Sequence, residues 1–180
     1  MMIPKKVLKR MNDLVELLMI EHGAIRHLSK YISNDSDEDL IGFHEYLKNV
    51  HIEVEEKIVF AILLEFINQD DRVLVTTIDQ LKVDHRSIDE LAGDIFTLWM
   101  RGEQDAAVEK TKLYLRLLKE HNYSEDSSVF PLWKNVGEKE MTMAMKEAGN
   151  IIESFGRELY IELIGLSPDA YSYLTTKPTK

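Results

Sequence analysis

The sequence predicts an all-α protein, an up-down-up-down four-helix bundle with an additional C-terminal helix. Only eight glycines and four prolines interrupt 180 residues, and Leu, Glu, Lys and Met are abundant, a composition that favours long helices over strands. Apolar residues recur at helical spacing in four successive segments. Four amphipathic helices joined by short connections pack most simply as such a bundle.

The first two predicted helices are separated by a polar segment. Pro4 suits the first turn of a helix, which is predicted to run to about Tyr31. Residues 33–37 offer several N-caps for a second helix that ends near Asn68. The apolar faces of these two helices contain Leu14, Leu18 and Ile25 in the first, and Leu40, Leu47, Ile58 and Ile62 in the second.

The third and fourth predicted helices follow a polar break at residues 69–71. The third is expected to end at Arg101 and Gly102, and the fourth to run from near Glu103 until Pro131 stops it. Their apolar faces contain Ile78, Leu81, Ile88 and Ala92 in the third, and Tyr114, Leu117 and Leu118 in the fourth.

The remaining chain is predicted to form one more helix and a frayed tail. The bundle would occupy residues 1–136, and residues 137–166 would form a helical extension of the same domain, with an alternative in which this helix breaks at Gly149 and Asn150. Residues 167–180 would form the tail.

Composition excludes several classes of function. Twenty-two Lys and Arg against 32 Asp and Glu give a net charge of −10, which disfavours binding to nucleic acid or to an anionic membrane. The absence of cysteine excludes disulfides, thiolate-bound clusters and a Cys nucleophile. The sequence has neither an apolar run long enough to span a membrane nor the pattern of a secretion signal at residues 1–10. It therefore predicts a soluble, cytoplasmic protein.

An internal repeat is the most informative feature of the sequence. Residues 21–28 and 84–91 both read acidic–His–x–small–Ile–x–x–Leu. Residues 51–60 and 121–130 both read His-x3-Glu-acidic-x2-Val-Phe. Helices one and two therefore repeat as helices three and four, and we expect a pseudo-twofold axis between the two halves.

The repeat places polar groups on faces that should be buried. His-x3-Glu stacks its two side chains on one face of a helix, and each buried carboxylate requires a positive partner. A lone histidine on an apolar stripe is more often an ordinary core residue, but the joint repetition favours a metal site. Each of two ions would take two histidines and share both carboxylates. The predicted ligands are His22, His51, Glu55, His85, His121 and Glu125.

Other polar residues near these positions receive weaker assignments. His44 lies two turns before His51 and could line the mouth of the pocket, whereas His27 is interpreted as a surface residue. Glu56 and Asp126 are rotated about 100° from the bridging positions, so they are interpreted as solvated or helix-packing groups. The outer nitrogens of the ligand histidines are expected to donate to acceptors outside the ligand set.

At these residues the sequence resembles the hemerythrin-like, or HHE cation-binding, family, over roughly residues 10–133. The resemblance implies a four-helix bundle that holds two non-haem iron ions, with zinc or manganese as substitutes. Members of the family bind dioxygen, sense oxygen or iron, or handle nitric oxide. By this resemblance the four histidines above are metal ligands, Glu55 and Glu125 are bridging carboxylates, and Phe60 and Phe130 occupy the family's aromatic position.

Two departures narrow what the resemblance implies. Asp89 stands where the oxygen-carrying members have a fifth histidine. The set of four His and two Glu instead resembles the subgroup that includes iron–sulfur repair proteins, but the cysteine-bearing N-terminal segment typical of those proteins is missing. The resemblance therefore implies neither reversible oxygen carriage nor a complete repair activity.

Three functions remain open from the sequence. The first is a di-iron protein that binds or senses O2 or NO and relays its state to a protein partner, or within a homodimer, through the C-terminal helix. The second is a di-iron redox enzyme that acts on NO or peroxide or delivers iron for cluster repair, with Tyr114 and Tyr123 near enough to His121 to reach the pocket. The third is a bundle that uses metal only for stability.

Overall fold

The computed structural model describes residues 14–32, 37–66 and 72–175, which contain helices and no β-strand. The predicted all-α fold is confirmed. The predicted start near Pro4, residues 33–36 of the first predicted break, the predicted helix end near Asn68, the break at 69–71 and the last five residues lie outside the described ranges. The helices are α1 (Leu14–Ile32), α2 (37–66), α3 (Arg72–Met100), α4 (Gln104–Ser124, continued to residue 135), α5 (Glu138–Phe155), α6 (Arg157–Ile164) and α7 (Pro168–Thr175).

The predicted apolar faces form the core between α1, α2, α3 and α4. Every residue assigned to these faces is buried except Ile62 and Leu117, which are half-buried and pack against the core. The hairpin between α3 and α4 turns at Gly102, whose φ of +76° favours glycine. The Glu103 N–H donates to the Leu98 carbonyl across this turn at 2.9 Å, which closes the C-terminal end of α3.

Helices α2 and α4 change winding where the candidate site lies. In α2, π-helical turns at Leu47–His51 and Glu55–Phe60 alternate with α-helical turns at Asp37–Tyr46, Ile52–Val54 and Ala61–Phe66. In α4 a π-helical turn at Glu125–Val129 follows the α-helix. Pro131 then lies in a 3₁₀ segment, Phe130–Asn135, so the α-helix ends before it. Turns of this kind re-aim side chains and occur often at functional sites.

The C-terminal region differs from the prediction in two respects. The helix breaks at Gly156, with a φ of +120°, and not at Gly149 and Asn150, which lie inside α5. The region predicted to be a frayed tail contains α7, Pro168–Thr175. Helices α5 and α6 pack against α1, and α5 also packs against the middle of α2. The C-terminal extension, which we define as α5, α6 and α7, therefore covers one side of the bundle.

Every helix in the described ranges is too short or too polar to cross a membrane.

Candidate metal centre

Six buried side chains from the four bundle helices meet at one level of the core. They form two groups of four that share Glu55 and Glu125, and the donor atoms within each group lie within 4.8 Å of one another. The groups could each hold a metal ion, and both consist entirely of buried residues. One group is His22, His51, Glu55 and Glu125, and the other is Glu55, His85, His121 and Glu125.

The two carboxylates lie between the groups. Glu55 Oε1 is 3.2 Å from His51 Nε2 and 3.5 Å from His22 Nε2, while its Oε2 is 3.4 Å from His85 Nε2. Glu125 Oε2 is 3.4 Å from His22 Nε2 and 3.2 Å from His121 Nε2. Each carboxylate thus faces histidines of both groups, which is the geometry required of a bridge between two ions.

The inward-facing atoms of this cluster lack hydrogen-bond partners. His22 Nε2, His51 Nε2 and all four oxygens of Glu55 and Glu125 are buried without one. Leaving so many polar atoms unsatisfied in a core is costly. His85 Nε2 and His121 Nε2 face each other at 2.8 Å, a contact between two atoms that both become metal donors when neutral. This donor set fits one or two cations.

The outer nitrogens of His22, His51 and His85 are hydrogen-bonded to acidic residues, as the sequence predicted for a metal site, whereas that of His121 has no hydrogen-bond partner within the described part of the chain. His51 Nδ1 is 2.7 Å from Glu21, His22 Nδ1 is 2.8 Å from Asp126, and His85 Nδ1 is 2.7 Å from Glu56. His121 Nδ1 lies 3.7 Å from Asp84 Oδ2. An acidic acceptor at Nδ1 fixes the neutral tautomer with its Nε2 lone pair inward, ready to bind a metal.

These contacts correct the sequence interpretation of two acidic residues and show contacts of two more. Glu56 and Asp126, interpreted as solvated or packing groups, hold His85 and His22 from the opposite half of the repeat. Glu21 and Asp84 face the histidine of the neighbouring helix in their own half. The sequence repeat contained a signal for these acidic partners, because one acidic residue directly precedes His22 and His85 and another directly follows Glu55 and Glu125.

In the metal-free site His22 and His121 attract protons. Burial opposes a charge on His22, yet its hydrogen bond with Asp126 and the nearby carboxylates of Glu125 and Glu55 outweigh it and raise its pKa from 6.5 to about 11. Burial likewise opposes charge on His121, but Glu125 and Asp84 raise its pKa to about 10. Burial alone would raise the pKa of Glu55, and the nearby histidines, His51 first, hold it well below its usual range. The six groups together therefore favour added positive charge.

Two aromatic rings close the site symmetrically. Phe130 stacks on His22 with ring centroids 5.3 Å apart and planes inclined by 17°. Phe60 stacks on His85 at 6.0 Å and 7°. Both phenylalanines occupy the Phe position of the sequence repeat. They exclude water from one face of His22 and one face of His85.

The remaining candidate residues lie outside the two groups. His44 is buried, with Nδ1 3.2 Å from the Tyr114 hydroxyl and Nε2 3.0 Å from Asp89. His27 is exposed, as predicted. Tyr123 is 73% exposed, so the expectation that it reaches the pocket is wrong, since it points to solvent from the outer face of α4.

Two of the cavities at the surface of the described chain lie between helices that carry the cluster. One, of about 230 Å3, lies between α2 and α3 and is lined by His85, Asp89 and charged residues including Lys48 and Arg86. A larger one, of about 740 Å3, lies between α1 and α4. None of the six clustered side chains lines the larger cavity, so only the smaller one reaches a histidine of the cluster.

Comparison with known proteins points to the same segment of the chain. The sequence model of one protein family, described as the hemerythrin HHE cation binding domain, matches residues 13–133. This match covers α1 to α4 and all six clustered side chains, and it ends before α5. No curated protein and no solved structure matches the chain significantly.

Proposed function

The chain belongs to the hemerythrin HHE cation-binding domain family, and from that premise we propose that it is a non-haem di-iron protein that binds or senses O2 or NO. The observation that supports this most directly is the pair of shared carboxylates. Glu55 and Glu125 each face histidines of both groups, and their oxygens are buried without hydrogen-bond partners.

In this proposal each group binds one ion. His22 and His51 hold the first, His85 and His121 hold the second, and Glu55 and Glu125 bridge the two. Nitrogen and oxygen donors without sulfur suit first-row metals, among them iron, manganese and zinc. The ligand-bearing bundle would be the part of the domain within residues 1–136, with the C-terminal extension packed beside it.

The protein's own residues would prepare the site for a small ligand. Two histidines and two shared carboxylates per ion leave room for an exogenous molecule, and the stacked Phe60 and Phe130 keep bulk water from the rings. The cavity beside His85 and Asp89 offers a short approach for a diatomic molecule. When bound, a pair of iron ions supplies redox change and free coordination positions.

The proposal is tested by loading the metal-free protein with ferrous iron under anaerobic conditions. We expect about two ions per chain and a visible spectrum that changes when O2 or NO is added and reverts when the gas is removed. Glu55→Ala should abolish this reversible change, and Glu45→Ala, a substitution at an exposed position of the same helix outside the cavity beside His85, should leave it intact.

The iron-loading experiment also distinguishes the proposed function from a di-iron redox enzyme and from a bundle that uses metal only for stability. Repeated consumption of NO or peroxide in the presence of a reductant would favour the di-iron redox enzyme instead. Tight zinc binding with no response of the iron-loaded protein to any of these molecules would indicate a metal that only stabilises the bundle. A chain that binds no metal after iron loading would contradict the proposal.

A further inference from the structure

The carboxyl group of Glu21 is buried among three hydrogen-bond donors. Its Oε2 accepts from the Tyr46 hydroxyl at 2.8 Å and faces His51 Nδ1 at 2.7 Å. Its Oε1 accepts from the Tyr160 hydroxyl at 2.5 Å. Glu21 is 1% exposed, and both tyrosines are fully buried. Both oxygens are therefore held, and the carboxyl group cannot rotate away from His51.

The corresponding residue in the other half of the repeat lacks this enclosure. Asp84 stands in the place of Glu21 and faces His121, but its side chain is 23% exposed and lies 3.7 Å from the ring nitrogen. Asp84 Oδ1 accepts a hydrogen bond from the exposed Gln80 side chain at 3.0 Å. The two halves, similar in sequence, thus differ in how firmly the outer nitrogen of a clustered histidine is held.

The difference arises from the C-terminal extension. Tyr160 lies on α6, 139 residues from Glu21 along the chain, and outside residues 13–133, which match the family. Its ring packs 6.1 Å from that of Tyr46 and 5.8 Å from that of Tyr171. Since α6 packs against α1, the extension encloses Glu21 on one side of the pseudo-twofold axis.

We propose that the C-terminal extension makes the two metal sites unequal, because Tyr160 positions Glu21 and, through it, His51. The ion held by His22 and His51 is then bound more tightly than the ion held by His85 and His121. Tyr160 is a positioning residue, since it touches a partner of a ligand and not the ligand itself. This inference rests on the two-ion site proposed above.

The physical argument concerns the orientation of His51. A hydrogen bond from Nδ1 to a fixed acceptor sets the tautomer and the ring angle, and outer partners of this kind change metal affinity by about 10- to 100-fold. Coupling between two sites is reciprocal. Metal binding at the first site must therefore also stabilise α6 against local unfolding.

A cobalt(II) titration followed in the visible range tests the proposal. The wild-type protein should bind two ions in two steps of different affinity. Tyr160→Phe keeps the ring and removes the hydroxyl, so it should weaken the tighter step about tenfold, shift the spectrum of that ion and leave the weaker step unchanged. Asp84→Asn should weaken the other step. Ile161→Val removes one methyl group from the same buried helix face and should change neither step.

The result that overturns the inference is distinct from failure of the proposed function. If the wild-type protein binds no cobalt, the two-ion site itself is wrong. If it binds two ions but Tyr160→Phe leaves both steps within about twofold of wild type, or if Ile161→Val weakens the tighter step equally, the positioning role is wrong.

Amide hydrogen exchange in the wild-type protein provides a test that needs no variant. One equivalent of cobalt should slow exchange in α6 by about as much as the coupling predicts, roughly tenfold. Exchange in α6 that is unchanged by cobalt, while exchange near His51 is slowed, would overturn the inference even if Tyr160→Phe fails to fold.

Discussion

At the scale of single residues, the four clustered histidines use both ring nitrogens for different purposes. Each Nδ1 faces an acidic residue outside the cluster, and each Nε2 faces the shared carboxylates. An ordinary core histidine needs partners for both nitrogens within the protein. Here the inner side is left with unsatisfied donors and acceptors, which a cation would satisfy.

Glu55→Ala and Glu125→Ala are each expected to reduce bound metal by about half or more, because each removes a donor shared by both groups. Metal content per chain after iron loading, measured by elemental analysis, checks this. Glu53→Ala is the control, since Glu53 pairs with Lys57 on the outer side of α2. Metal content unchanged in both bridging variants would refute their assignment as bridges.

Asp126→Asn is expected to weaken metal binding about tenfold, because a neutral amide is a poorer acceptor for His22 Nδ1–H than a carboxylate. Competition with a chelator of known affinity measures the effect. Arg26→Gln removes the other partner of Asp126, an exposed contact at 3.3 Å, and should change affinity little. Equal losses in the two variants would show that Asp126 acts through Arg26 and not through His22.

The sequence predicts which side chains form the cluster better than it predicts which residues contact them. His51–Glu55 and His121–Glu125 are neighbours on their helices, so their spacing alone predicts that the side chains stack. The contact between Tyr160 and Glu21 spans 139 residues, and no local pattern encodes it. The acidic residues at the outer histidine nitrogens are an intermediate case. The sequence repeat shows that they are present, but the histidines that they contact lie on other helices, so the sequence does not predict the contacts.

At the scale of secondary structure, changes in winding accompany the cluster. His51 ends one π-helical turn, and Glu55 and Glu125 each begin another. Apolar periodicity predicted where α2 and α4 lie but not these turns, because one additional residue in a turn alters the hydrophobic pattern very little. The helix break was misplaced for a related reason, since Gly149 and Gly156 look alike in sequence and only the latter has a positive φ.

Substitution of these two glycines should have opposite effects on stability. Gly156 has a φ of +120°, which a residue with a Cβ rarely adopts, so Gly156→Ala should destabilise the protein by more than about 1 kcal/mol. Gly149 lies within α5 with open space around it, so Gly149→Ala should stabilise it by roughly 0.5–1 kcal/mol. Urea unfolding of both variants measures the free energies. Stabilisation by Gly156→Ala would mean that the helix continues through this residue.

At the scale of the whole molecule, the bundle is nearly symmetric and the extension is not. The repeat places equivalent ligands on α1 and α3 and on α2 and α4, so the cluster follows the pseudo-twofold relation. Among the described residues, helices α5 and α6 pack against α1, and α5 also packs against α2. An added helix of this kind changes one half of a symmetric site without altering any of its ligands.

The charge of the cluster also determines how the stability of the whole molecule depends on pH. In the metal-free protein the pKa of His22 is raised from 6.5 to about 11, and that of His121 to about 10. A raised pKa contributes stability that is fully present below 6.5 and is lost as the pH rises through the folded value. The metal-loaded protein should lose this dependence above about pH 7, because bound metal requires neutral imidazoles and displaces their protons.

We therefore expect the melting temperature of the metal-free protein to fall between about pH 7 and about pH 9, a window below the titration of its tyrosines. With excess metal the melting temperature should stay nearly level over the same interval, because the imidazoles are then neutral in both the folded and the unfolded chain. Differential scanning calorimetry with and without metal measures both slopes. His22→Asn removes one raised pKa and should flatten the metal-free slope, while His27→Asn, at an exposed position of the same helix, should not. A metal-free slope that is flat in the wild type would contradict the raised pKa values, because the folded and unfolded chains would then bind equal numbers of protons in this window.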